Sequence, residues 1–227
     1  MEGVRKALES ERKAEQEFVA RAMQRETAPR GWPAALVMFH MSMWRERLRN
    51  ALRDVQQGRS YAPPPDDVDA FNEDELASGI GAPLADAAAR SDTLLAELIE
   101  LFDELGDRPF KWYSSSTVGE AILRNSYTHP RLHICAYFRE NDEPDDANRV
   151  FEEAVAEMRE IGAPPIILGM VLYNLACTRA IQGRPDDSLD LLEEALGVRP
   201  VLKEIAAEDA DFASLHDNER FQELVKS

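Results

Sequence analysis

Cysteine is scarce in this chain of 227 residues: Cys135 and Cys177 stand far apart and form no spaced framework. A disulfide scaffold is excluded, and both thiols, set inside helical patterns, are expected to be buried core residues in a reducing compartment. Long hydrophobic runs are lacking too, since no stretch approaches the ~20 consecutive apolar residues of a membrane helix. The opening MEGVRKALESERKAEQEF alternates charges where a secretory signal would carry an apolar run. These two gaps place the expectation in the cytoplasm, without a membrane partner. Positive charge is in deficit, with 26 Lys and Arg against 43 Asp and Glu and a net charge of −17. Such a surface repels phosphate backbones, so nucleic acid is not an expected partner. The exception would be a local patch, with Arg45, Arg47, Arg49 and Arg53 the candidates on one helix.

What is present is an ordinary globular balance, 44% hydrophobic and 30% charged, arranged in helical periods. Residues 2–27 form a first helix with Val4, Leu8, Phe18, Val19 and Met23 along one side. Pro33 suits the first turn of a second helix, in which Leu36, His40, Trp44, Leu48 and Leu52 recur every four residues. His40 therefore lies on the stripe that faces a core. GRSYAPPPDD is a loop, and a short helix follows around Phe71 to Leu76. A third long helix runs from about Leu84 to Leu105 and stops at Gly106. A fourth opens on Thr117-x-x-Glu120, a capping pattern, and reads on to Phe138. The expected fold class is all-α, a four-helix bundle over 1–142.

Beyond residue 140 an internal repeat appears. PDDANRVFEEAV from Pro144 matches PDDSLDLLEEAL from Pro185 at an offset of 41 residues. Between them Pro165 to Gln182 forms another helix, and Leu172, Leu175, Ala176, Gly183, Leu192, Ala195 and Pro200 fall at tetratricopeptide spacings. Residues 143–227 are expected to be a tetratricopeptide-like helical extension packed on the bundle, because single repeats need a neighbour to cover their apolar face.

Three of the four histidines carry the chemistry. His129 and His133, four apart on one helix, present two imidazoles about one turn from each other, where both reach one ion. Around them the pattern resembles the DinB-like superfamily and, within it, the ClbS/DfsB group. The second helix reads GWPAALVMFHMSMW, with Trp32, His40 and Trp44, and the fourth reads NSYTHPRLH, with Asn125, Tyr127, His129 and His133. The resemblance covers residues 1–142. It implies a metal site of His40, His129 and His133, a pocket lined by Trp44, Asn125 and Tyr127, and positions left open for water or substrate. Imidazoles suit a divalent transition metal, zinc or nickel first among them, and a low-molecular-weight thiol is the companion cofactor that the resemblance suggests.

Two departures stand out. Pro130 removes a helical hydrogen bond and clashes with the Ser126 carbonyl, so the helix is expected to kink or restart, aiming His129 at the metal or swinging it away. No nucleophile is evident, because Ser114, Ser115 and Ser116 are expected to cap the helix that follows. Two functions are open at this point. One is a metal-dependent hydrolase or thiol transferase acting on a small electrophilic molecule. The other is a non-enzymatic scaffold of tetratricopeptide type, binding a protein partner or pairing as a homodimer.

Overall fold

The structure is a computed structural model that describes residues 2–226. The chain divides into two compact units, Met1–Pro144 and Asp145–Ser227. Both are helical, as the patterning predicts, and none of the described helices is long and apolar enough to cross a membrane.

The first unit contains α1 (Glu2–Met23), α2 (Ala34–Gln56), α3 (Val68–Leu76), α4 (Leu84–Leu105), β1 (Pro109–Trp112), β2 (Ser115–Thr117), α5 (Val118–Leu123) and α6 (His129–Glu140). Leu8, Leu48, Leu52, Leu95, Leu98, Phe102, Trp112, Val118 and Ile122 build its apolar centre. Proline begins α2 and α4, at Pro33 and Pro83, where the missing N–H is harmless. Gly106, at φ 66°, ends α4 as expected. The first helix stops at Met23 rather than running to residue 27, and Met23 is exposed, not core-facing. Its inner stripe is Leu8, Glu11, Glu15 and Phe18, so two carboxylates occupy core positions.

The antiparallel hairpin was not expected. Phe110 and Trp112 alternate inward along β1 and Trp112 pairs with Ser115. Two residues, Tyr113 at φ 51° and Ser114, make the turn. Ser115 and Ser116 are thus strand residues, and Thr117 alone caps α5, its Oγ1 accepting from the Glu120 N–H at 3.2 Å. The Glu120 carboxylate accepts in return from the Ser116 N–H at 2.7 Å.

The second unit comprises α7 (Pro144–Glu160), α8 (Pro165–Ile181), α9 (Pro185–Val198), α10 (Leu202–Glu208), a 3₁₀ turn (Ala210–Leu215) and α11 (Glu219–Val225). The two PDD copies open α7 and α9, each placing two aspartates in the first turn, where the helix dipole favours them. Val171, Leu172 and Ala176 of α8 and Leu192 and Ala195 of α9 are fully buried. Ser188 Oγ donates to the Ala176 carbonyl at 2.8 Å, joining these two helices. Cys135 and Cys177 are buried thiols, one in each unit.

Candidate metal centre

His40 reaches the site because α2 keeps its four-residue stripe: His40, Trp44, Leu48 and Leu52 are all buried. His129 and His133 arrive by a less regular route. Between α5 and α6 the five residues Arg124–Thr128 form a π-helical turn, and the His129 N–H bonds the Arg124 carbonyl five residues back. Pro130 then sits at the first turn of α6, where its ring is tolerated. A π turn inserts one residue into the helix, so the chain bypasses the clash that Pro130 would create in a continuous α-helix.

The freed groups find partners. Ser126 O, whose α-helical donor would be the absent N–H of residue 130, accepts from Arg45 at 3.3 Å. Asn125 Nδ2 donates to the Trp44 carbonyl at 3.1 Å, and Ser126 Oγ donates to Asn125 Oδ1 at 2.9 Å. Arg45 is itself wholly buried and ion-paired with Glu15 of α1, with one nitrogen 2.9 Å from Glu15 Oε2 and 2.7 Å from Ser91 Oγ of α4. A second buried pair, Arg131 with Glu11 at 2.5 Å, lies on the same face of α1.

Because of that turn, three imidazoles converge. His129 Nε2 lies 3.1 Å from His40 Nε2 and 2.9 Å from His133 Nε2, and the three ligand nitrogens all fall within 4.8 Å of one another. His40 is buried and the other two are partly buried. Burial holds all three bases below their ordinary range: His40 at about 3, helped by the neighbouring His133, and His133 at about 4. His129 is also well below it, through burial first and then His133, His40, Arg45 and Arg124. At neutral pH the rings are uncharged, and each carries a lone pair on one ring nitrogen.

No family model, no curated protein and no solved structure matches the chain. A neutral ring nitrogen offers either one proton or one lone pair, so His129 Nε2 satisfies at most one of its two close neighbours by hydrogen bonding. A divalent cation accepts all three lone pairs at once. With metal–nitrogen bonds of about 2.05 Å, neighbouring donors are separated by about 2.9 Å at right angles and about 3.4 Å at tetrahedral angles. The observed 2.9 and 3.1 Å lie at that scale, so these residues form a group able to hold a metal ion. Among the described residues the group contains no carboxylate or thiol, and three protein ligands leave positions open, as in catalytic rather than closed structural sites.

Aromatic rings frame the trio. Trp32 stacks on His133 with planes 6° apart and centroids at 5.6 Å, and meets His40 edge-on at 5.3 Å. Trp44 approaches His129 at 6.3 Å and His40 at 6.4 Å while its Nε1 donates to Asn72. Tyr127 is fully buried, with the Arg131 guanidinium 4.9 Å from its ring, and Asn125 is spent on the Trp44 backbone. His40 Nδ1 has no hydrogen-bond partner among the described residues, so packing between the two tryptophans orients this ring.

Trp32 is placed by the loop before α2. Asn141, at the end of α6, accepts from the Arg30 N–H at 2.9 Å. Gly31 adopts φ 64°, where a Cβ would fall 1.8 Å from Glu140 Oε2. Trp32 and Arg45 were not read as site residues from the sequence. The signal for Trp32 was its place in the GWP motif. For Arg45 there was no local signal, because its partner Glu15 comes from another helix.

A second cluster, Cys177 with Asp209 and Asp211 in the other unit, brings potential ligand atoms equally close. Its Asp209 is already engaged, capping the 3₁₀ turn through the Asp211 N–H at 2.9 Å and accepting from Tyr173 at 2.7 Å.

Proposed function

We propose that the chain binds a divalent transition metal through His40, His129 and His133 and uses it as a hydrolase or thiol transferase acting on a small electrophilic molecule. The observation that carries this reading is the convergence of three neutral Nε2 atoms, with no fourth ligand beside them among the described residues. A bound divalent ion would supply Lewis acidity, polarising an electrophile and lowering the pKa of water or of a small thiol. The chain's own part is to keep the three imidazoles unprotonated and pre-aimed and to shield one side of the trio with Trp32 and Trp44. Zinc or nickel suits the all-imidazole donor set.

The test is to load purified protein with zinc or nickel and screen small electrophiles, epoxides, activated esters and halides, with and without low-molecular-weight thiols, following product by mass spectrometry. Turnover that needs both metal and the three histidines supports the reading. Metal binding without turnover on any electrophile would reduce it to a metal-binding protein.

A further inference from the structure

Pro130 creates a problem that a residue on another helix solves. In an α-helix the Ser126 carbonyl would receive the N–H of residue 130, which proline lacks. A buried carbonyl without a donor destabilises the fold. Here the donor is a guanidinium nitrogen of Arg45 at 3.3 Å. We propose that Arg45 is the positioning residue of the histidine centre: by holding Ser126 O it keeps the π turn open, and the turn swings His129 onto His40 and His133. The proposal rests on the metal-site reading for its functional meaning, but its structural content stands apart from it.

Three observations support it. Arg45 is on the same helix as His40 and directly follows Trp44, so α2 carries one ligand, one wall of the site and the clamp on the opposite helix. The guanidinium is immobilised by Glu15 from α1 and Ser91 from α4, so the Ser126 carbonyl is referred to a fixed point. For stability alone an apolar pair of equal volume would serve as well as a buried ion pair, yet it would leave Ser126 O unpaired. The consequence of losing the turn is angular. Each α-helical residue advances the chain by about 100°, so removing the inserted residue rotates His129 and His133 together, relative to α5, by about that angle and out of reach of His40.

The test compares Arg45→Lys with Leu98→Ala in the full chain at pH 7.5. The lysine keeps a cation beside Glu15, but one ammonium cannot span Glu15, Ser91 and Ser126 as the guanidinium does. The alanine opens a cavity in the apolar centre, where Leu98 is fully buried, and leaves Glu15, Arg45, Ser91 and Ser126 unaltered. Three readouts are taken: urea stability, Co²⁺ affinity, and, without metal, ring-to-ring NOEs between His40 and His129. Arg45→Lys should lose the NOE and weaken Co²⁺ binding by about 10–100-fold, the range for groups that orient ligands. Leu98→Ala should keep both even where its stability falls as far. Should Arg45→Lys alone fail to fold, adding Pro130→Ala restores a donor for Ser126 O; that double variant should regain stability without regaining the NOE or the affinity. Retention of both by Arg45→Lys, rescue of both by Pro130→Ala, or loss in strict proportion to urea stability in all variants overturns the proposal. If wild-type protein binds no Co²⁺ yet the NOE follows Arg45, the metal reading fails and the positioning role survives.

Discussion

Trp32 lies parallel to His133, their planes 6° apart and their centroids separated by 5.6 Å. The indole is itself partly open to solvent, 36% exposed, so it acts as a cover between water and an imidazole. Burial is the cause of the low basicity of His133, and removing the cover should reverse it. Trp32→Ala is expected to raise the His133 pKa from about 4 toward its ordinary 6.5. An NMR titration of the ring protons measures this. Metal affinity should then be little changed at pH 7.5 and clearly weaker at pH 5.5, where the proton competes.

Replacing His133 by Ala removes one of three ligands. Zinc affinity by calorimetry should fall by at least about 100-fold, the upper range for loss of a group that merely supports a ligand. His216→Ala is the control, because that ring packs near Phe221 in the other unit and its loss should leave zinc binding unaltered.

Acid should destabilise the metal-free protein through these histidines. Their folded pKa values are depressed below the unfolded 6.5, so between pH 6.5 and about 4 the unfolded chain takes up protons that the native chain does not. Stability is then complete above about pH 7 and is lost as pH falls through that window. For His133 the loss is on the order of 3 kcal/mol at its fullest. Urea midpoints from pH 7.5 to 4.5 should drop, and the slope should flatten in His133→Ala.

Duplex DNA is expected not to shift in a gel with this protein, even at low salt. Three of the four cations of the candidate patch on α2 are ion-paired, Arg45 buried on Glu15, Arg49 with Glu46 and Glu97, and Arg53 sharing Glu97, while Arg47 lies over the Phe71 ring and donates to the Pro63 carbonyl. Submicromolar binding would show that cations elsewhere escape the net charge of −17.

Much of the helical layout was legible because its signals are local. The stripe through His40, Trp44 and Leu48, the cap at Thr117, the stop at Gly106 and the repeated PDD starts each depend on a few neighbouring residues. The hairpin at 109–117 was not, since seven strand residues carry too short an alternation to register. The burial of Glu11 and Glu15 was hidden for another reason. Their partners, Arg131 and Arg45, come from distant helices, and carboxylates on a helix read as solvated until those partners are in view. At the site itself the three histidines were readable from motif and spacing. The effect of Pro130 was not, because it depends on a π turn whose freed carbonyl is satisfied from α2.

Calorimetric titration of metal-free wild-type protein with Zn²⁺ at pH 7.5, with elemental analysis of the isolated complex, bears most directly on the metal centre. The expected result is one ion per chain, bound with an affinity that depends on each of His40, His129 and His133. Absence of zinc and nickel binding, or binding unchanged when all three histidines are replaced, would contradict it.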